Sequence, residues 1–451
     1  MTSKVDIEPN AHHLESVDMA EKDTNTPRDY AGAVLTRTPA ETKLPILWLM
    51  FWLNYLDRNA IAIARLNSLE SDLNLKDSEY QTCVSILFVG YIFGGIPSNM
   101  LITRVRPSIY MGSVMAVWAI VSALTAVANN YIGLLLVRFF LGITEAPYYP
   151  GALYLLSIFY TRKEVATRMA VLYTGNIIAT AFAGLIGAGV FHGMDGLAGL
   201  AGWRWLFILQ GAVTFVVARK GSLQCTGFIR TLLAKLGKLL VLAVLKDALK
   251  DRRVWLFVFI QHMHLAANGF KNFFPTVVET LGFDTTITLV LTCPPYLIAG
   301  AISVYWSWSS GKYNERTWHI TIAKGVAILG FVLGCATLNM GARYFAMIVF
   351  SVGTYAVNSI VLGWVSSTFG QTKEKRAVAI SIVVSTSNIS FIWTPYLWPK
   401  SDGPQYVTAL ASSAAFSFAT LAGAWAMKFI LMRQNKKIRQ REGDATLFFA
   451  Y

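Results

Sequence analysis

The sequence predicts an all-α membrane protein: twelve transmembrane helices in two pseudo-symmetric six-helix bundles. Three observations carry this expectation. The 451 residues are 55% hydrophobic and only 14% charged, with a mean hydropathy of +0.48. Apolar stretches recur from Leu44 to Met432 with short polar breaks, and roughly 250 apolar residues supply about twelve spans of ~20 residues, the length of helix that crosses a bilayer core. Only helices or closed barrels satisfy every backbone hydrogen bond in lipid, and runs this long without period-two alternation select helices. The same composition excludes a soluble enzyme, a disordered scaffold and a secreted disulfide module. It also excludes a nucleic-acid binder, because the net charge of +14 lies between apolar spans and not on one binding face.

Residues 1–44 are polar and charged and read as a disordered cytosolic tail without a signal peptide, so the first span acts as the insertion signal. The twelve predicted spans cover 45–64, 80–102, 108–128, 131–158, 166–190, 203–218, 254–274, 286–308, 318–339, 343–365, 376–396 and 405–432. With both termini inside, the inner breaks carry Arg104, Arg106, Arg162, Lys163, Arg168, Lys312, Arg316, Lys373, Lys375 and Arg376. The outer breaks carry only Arg65, Lys76, Arg204, Arg343 and Lys400, which fits the excess of basic residues in cytoplasmic loops.

The break at 219–253 divides the chain into halves, 45–218 and 254–432, and 433–451 forms a cytosolic tail. Basic residues among leucines make 219–253 an amphipathic linker on the inner surface, since the apolar run 239–245 is too short to cross. Two six-helix halves joined in this way are an architecture of repeat-built secondary transporters, with the substrate site near the midplane between the halves. Cys83, Cys225, Cys293 and Cys335 are single and far apart, and read as small buried hydrophobes.

Charges inside apolar spans are costly and need a partner, water or a function. In span 1, Asn54, Asp57, Arg58 and Ile61 follow the i, i+3, i+4, i+7 rule and fall on one helix face. The guanidinium of Arg58 suits a substrate carboxylate, and the alternative is an ion pair with Asp57 or a neighbouring helix that only ties the bundle together. In span 4, Arg138, Gly142 and Glu145 also share a face. A buried carboxylate balanced between desolvation and a nearby arginine can take up and release a proton; here too a structural ion pair is the alternative.

Lys271 in span 7 either faces the cavity or snorkels from the outer end, and Lys324 in span 9 is expected to snorkel to the inner surface. His262 and His264 point to different faces and form no metal pair. Gln261, Asn176, Asn358 and Asn388 bind substrate or join helices. Pro294-Pro295 and Pro395 interrupt spans 8 and 11. Paired His clusters, a nucleophile elbow and a phosphate loop are all missing, so neither enzyme activity nor a cofactor is expected.

At these residues the chain resembles the major facilitator superfamily, and within it the anion:cation symporters. The resemblance lies in Asn54-Tyr55-Leu56-Asp57-Arg58, in the segment from Arg138 through Glu145 to Gly151, in Pro97-Ser98-Asn99 with Arg104-Val105-Arg106-Pro107, and in Gly202-Trp203-Arg204-Trp205-Leu206-Phe207. The stretch from Trp393 to Pro399, followed by Gly403-Pro404-Gln405-Tyr406, is similar to the fungal allantoate, nicotinate and pantothenate permease branch. The likeness covers 45–218 and 253–432.

It implies proton-coupled symport of a small organic anion by alternating access. Arg58 would bind the substrate carboxylate, Asp57 and Glu145 would be the proton-linked acids, and Arg138 would pair with Glu145 or substrate. Tyr55 and Tyr91 would line the cavity, which Gln261 and Asn388 would complete from the other half. The protein would be a monomer in the plasma membrane. Export of an acidic metabolite by proton antiport, or a receptor that binds without transporting, are the rival readings. Three features depart from the family: Ser310-Gly311-Lys312 replaces an Asp-Arg pair, span 6 is short, ending by Ala218, and the linker lacks the branch's acidic, proline-containing pattern.

Overall fold

The computed structural model describes residues 43–76, 78–102, 107–149, 151–152, 162–224, 246–369 and 373–441. Among these, every regular element is helical. The first six long helices are α1 (Lys43–Ala64), α2 (Glu79–Ile102), α3 (Pro107–Leu124), α4 (Tyr131–Glu145), α5 (Arg162–Met194) and α6 (Gly202–Gln224). The second six are α7 (Arg252–Ala267), α8 (Cys293–Lys312), α9 (Thr317–Ala336), α10 (Met340–Thr368), α11 (Lys373–Ser387) and α12 (Val407–Arg441). Seven helical stretches among the described residues are long and apolar enough to cross a membrane by length and composition alone. The charges of α1 and the shortness of α4 and α7 keep those helices out of that set.

The described residues from Leu44 onward cluster as one unit. Helices of the first set pack mainly on one another, α2 on α4 and α3 on α6. The second set does the same, α9 on α10 and α12, and α7 on α11 and α12. The sets meet where α5 packs on α8, and where α2 packs on the short helix Ser390–Trp393. Phe93, Ile132, Leu329 and Phe418 are exposed on the outer faces, where lipid would cover them.

The close approach of α2 and α4 depends on two glycines. A Cβ on Gly142 would sit 2.0 Å from the carbonyl oxygen of Leu87, and one on Gly90 would sit 2.2 Å from that of Phe139. Neither backbone can retreat without separating the helices. Gly142→Val is therefore expected to destabilise the protein by about 1–3 kcal/mol or more, the usual cost of overpacking. It should lower the Tm of the purified protein, and an unchanged Tm would contradict this packing.

Several predicted spans are broken or extended. Span 4 ends as a helix at Glu145, because Pro147 has no N–H to offer the carbonyl of Ile143. Span 7 is not continuous: α7 ends at Ala267, a 3₁₀ turn runs from Asn268 to Asn272, and a short helix spans Phe274–Glu279. Pro275 has no N–H for the carbonyl of Lys271, so Lys271 lies in the non-α segment. Span 8 consists of a short helix, Thr285–Leu291, and α8. Pro295 leaves the Leu291 carbonyl without its helical donor, and the Tyr344 hydroxyl donates to it at 2.9 Å.

Span 11 breaks earlier than Pro395, at Asn388-Ile389. There the Ile389 amide bonds to Thr386, three residues back, and the Asn388 side chain donates to the Val384 carbonyl at 2.8 Å. Span 6 was expected to end by Ala218, but α6 continues to Gln224, and α12 continues to Arg441. Arg219 and the Arg433–Arg441 charges end an apolar run, yet lysine and arginine are good helix formers, so the helix persists. The tail 1–42 and the linker core 225–245 lie outside the described residues, as do Arg104 and Arg106.

Candidate functional site

Two charged residues from different helices meet at the centre of the first set. Arg58 Nε of α1 donates to Glu145 Oε2, the last residue of α4, at 2.5 Å. The Glu145 side chain is fully buried, whereas Arg58 keeps 12% of its side chain exposed. The guanidinium lies 4.8 Å from the Tyr91 ring centroid and 5.3 Å from that of Tyr55, so two π faces flank it. Glu145 Oε1 has no hydrogen-bond partner.

Of the two partners the resemblance offers Arg138, Glu145 or substrate, Glu145 is instead paired with Arg58. Seven residues along a helix separate the two α4 side chains by about 10.5 Å of rise, while α1 brings Arg58 alongside Glu145. Arg138 is buried, and its Nε and Nη1 have no hydrogen-bond partner.

Asp57 likewise departs from the shared face. Its Oδ2 accepts from Trp118 Nε1 of α3 at 2.6 Å, inside the first set, and the residue is fully buried. Adjacent positions on a helix differ by about 100°, so when Arg58 turns to α4 and the cavity, Asp57 turns to α3. Neither Asp57 nor Glu145 is part of the cavity lining.

Arg58 opens onto a cavity of about 50 Å³, counted as space open to the centres of water molecules, which is room for several waters. Tyr55 and Tyr91 line it from the first set, and Gln261, Asn388, Lys271 and Asn358 from the second. Five of the expected substrate-binding residues therefore share one space: Arg58, Tyr55, Tyr91, Gln261 and Asn388. Arg138 lies on an adjoining cavity of about 20 Å³, together with Arg58 and Lys271. Gln261 Nε2 donates to Asn358 Oδ1 at 2.8 Å, so these amides join α7 to α10 as well as walling the cavity.

Of the open alternatives for Lys271, the cavity-facing one is realised: its ammonium sits 4.3 Å from the Phe391 ring centroid and 5.7 Å from that of Tyr55. Lys324 does not snorkel. It is fully buried in α9, and its Nζ has no hydrogen-bond partner. The 3.6-residue periodicity places it inside the second set, where its stem cannot reach a surface. His264 is fully buried while His262 stacks on Trp393 at 6.0 Å, so the two do face apart. The charge-based reading gave no weight to Tyr149, Tyr173 or Asn268, which complete the wall. Spacing could have found Tyr173, one helical turn from Asn176.

One end of the cavity is sealed by contacts between the sets. Glu70 accepts from Arg65 at 2.8 Å and also pairs with Lys400. Phe273 meets Tyr80 of the first set edge-on at 6.0 Å, and Thr82 hydrogen-bonds Tyr396 at 3.1 Å. Glu70→Gln removes the shared anion of this seal. It should raise, several-fold, the rate at which a bulky thiol reagent modifies a cysteine placed at Asn272, and an unchanged rate would show that Glu70 does not hold the seal. Elsewhere, Arg316 Nη1 at the start of α9 donates to Ser310 Oγ at 2.9 Å, which ties down the last turn of α8, where Ser310-Gly311-Lys312 departs from the family pattern.

Comparison with known proteins gives a consistent result. The family model of the Major Facilitator Superfamily matches residues 47–395. The chain is 27% identical over 427 residues to the major facilitator-type transporter hxnP of Emericella nidulans, covering 88% of this chain and 86% of that protein. It is 29% identical over 435 residues to the MFS-type transporter cnsO of Penicillium expansum, covering 88% and 82%. Among solved structures, it resembles a bacterial homologue of the human lysosomal transporter Spinster in an inward-facing, unoccupied conformation. The TM-score is 0.70 at 17% identity, over 89% of this chain and 98% of that one. A D-xylose-proton symporter gives a TM-score of 0.69 at 16% identity, over 86% and 97%. With twelve long helices among the described residues, the cavity between their two sets and a family match over most of its length, the chain belongs to the Major Facilitator Superfamily.

Proposed function

We propose that this membrane transporter is a proton-coupled symporter of a small organic anion, a carboxylate, working by alternating access. The halves 45–218 and 254–432 rock about the central cavity. Both termini are cytosolic, as the basic inner loops favour, and the monomer is the working unit in the plasma membrane. The observation that carries this reading is the Arg58–Glu145 pair, in which a fully buried acid holds a cation that borders the cavity.

While Glu145 is ionised it neutralises Arg58, and the cavity offers an incoming anion little uncompensated charge from that side. When a proton reaches Glu145, the guanidinium loses its counter-ion. An unpaired buried charge costs several kcal/mol, so a substrate carboxylate that replaces Glu145 is held strongly. Proton and anion thus favour each other's binding, and by linkage the effect is reciprocal. Tyr55 and Tyr91 hold the guanidinium in position for the exchange, and Gln261 and Asn388 supply hydrogen bonds to the polar remainder of the substrate. Arg138 supports the site electrostatically from the adjoining space. Asp57, bonded to Trp118, acts on the site from within the first set and not as a group in contact with substrate.

Uptake into proteoliposomes with an imposed pH gradient tests this reading, using allantoate, nicotinate, pantothenate and a set of hydroxy acids and dicarboxylates. Accumulation of at least one acid, lost when the gradient collapses, is the expected result. Accumulation that survives collapse of the gradient would contradict it.

A further inference from the structure

The charges around the cavity do not balance, and the imbalance specifies the substrate more narrowly. On the side of the first set, the two acids Asp57 and Glu145 are matched by the two arginines Arg58 and Arg138. Lys271, on the side of the second set, is additional. Among the described residues no carboxylate pairs with it, and its ammonium rests on the faces of Phe391 and Tyr55. The next charge in the second set, Lys324 in α9, has the same sign. Counting Arg58, Arg138 and Lys271 as cations and Asp57 and Glu145 as anions leaves one excess positive charge, and a proton on Glu145 leaves two.

The two lining cations also share a scaffold. Arg58 Cζ and Lys271 Nζ lie 5.3 and 5.7 Å from the centroid of the same Tyr55 ring, so they are no farther apart than those two distances added together. Polar atoms border the same space: Asn268 Oδ1, Asn272 Nδ2 and Gln261 Oε1 are buried without a hydrogen-bond partner and belong to residues lining the two cavities. A bound group that satisfies both cations must carry an acceptor at each end, while Leu265, Val384 and Phe391 on the same lining tolerate a short apolar middle.

Resting on the symport reading above, we infer that the substrate is a dianion, a short dicarboxylate or an acid of like charge, with one carboxylate on Lys271 and the other on Arg58 once Glu145 is protonated. In this arrangement Lys271 is the first docking point, because its charge is free while Arg58 is still held by Glu145. The proton on Glu145 then releases Arg58 for the second carboxylate. The loaded cavity is electrically neutral, which lets it close and leave water. A monoanion, as nicotinate, pantothenate and allantoate each are, would leave one cation unpaired in the closed state. A site built for a second acceptor discriminates against an analogue that lacks it, because its own buried group is left without a partner.

The test compares succinate, glutarate and adipate with their half-amides, measured as binding to the purified full-length protein at mildly acidic pH. At the best-fitting chain length the diacid should bind at least tenfold more tightly than its half-amide. Lys271→Gln should weaken diacid binding and so remove that difference, and Lys271→Arg, which keeps the charge, should retain it. The Tm of the unliganded variants checks that they are folded, and the arginine variant keeps the comparison open should the glutamine variant fail to fold. Equal binding of diacid and half-amide to the unaltered protein, or a difference that persists in Lys271→Gln, overturns the inference while leaving anion symport standing. If neither kind of acid binds, the dianion inference falls, and accumulation of the wider acid panel decides anion symport separately.

Discussion

Arg58→Ala is expected to abolish transport and to destabilise the protein at the same time, and the two effects should separate in a double variant. The substitution leaves Glu145 fully buried without the cation that neutralises it. Removing one partner of a buried pair costs about 3–5 kcal/mol, more than deleting both partners. Arg58→Ala with Glu145→Gln should therefore recover most of the lost stability, because no buried charge is left unpaired. Uptake should not recover, since the guanidinium that receives the substrate is absent from both variants. A loss of about a hundredfold in anion affinity, worth ~2.7 kcal/mol, is expected for each. Thermal unfolding in detergent reads the first effect, and proteoliposome uptake reads the second. A double variant that regains uptake along with stability would reduce the pair to a structural tie between α1 and α4.

Glu145→Gln alone is expected to separate proton coupling from substrate movement. The glutamine amide mimics the protonated acid, so Arg58 is permanently free for the anion. Accumulation driven by a pH gradient should disappear, while exchange of labelled for unlabelled substrate across the membrane continues within a few-fold of the unaltered rate. The pH dependence of anion binding should flatten with it. In the unaltered protein, binding tightens as pH falls, because each bound anion takes up a proton at Glu145, with a limiting slope of about tenfold per pH unit for one linked proton. A variant that still accumulates substrate against a gradient would place the coupling acid elsewhere, and Asp57 would be the next to test.

The architecture was legible in the sequence, since runs of apolar residues and the basic bias of alternate loops are local properties. Charged residues in an apolar background also stand out, so Asp57, Arg58, Arg138 and Glu145 could be named from the sequence. Their pairing could not. Which of two arginines reaches Glu145 depends on how α1 lies against α4, a tertiary fact like the α2–α4 approach that Gly90 and Gly142 allow. The turn of Asp57 toward Trp118 is likewise a tertiary fact, invisible to a helical wheel drawn for α1 alone.

Lys271 and Lys324 looked alike as cations within apolar spans. Lys271 gained its place at the cavity because Pro275 breaks the helix around it, and Lys324 lost its route to the surface because α9 is buried on that side. The breaks themselves were half legible: Pro294-Pro295 announced the first, but Asn388 interrupts α11 through a side-chain bond that proline counting does not reveal.

The most direct measurement follows protons, using a pH-sensitive dye trapped inside proteoliposomes that contain the purified protein. Adding a transported anion outside, with no gradient imposed, should acidify the interior in the unaltered protein. Glu145→Gln vesicles should show no acidification although their anion exchange persists. Anion entry without acidification in the unaltered protein, or undiminished acidification in Glu145→Gln, would contradict coupling through the Arg58–Glu145 pair.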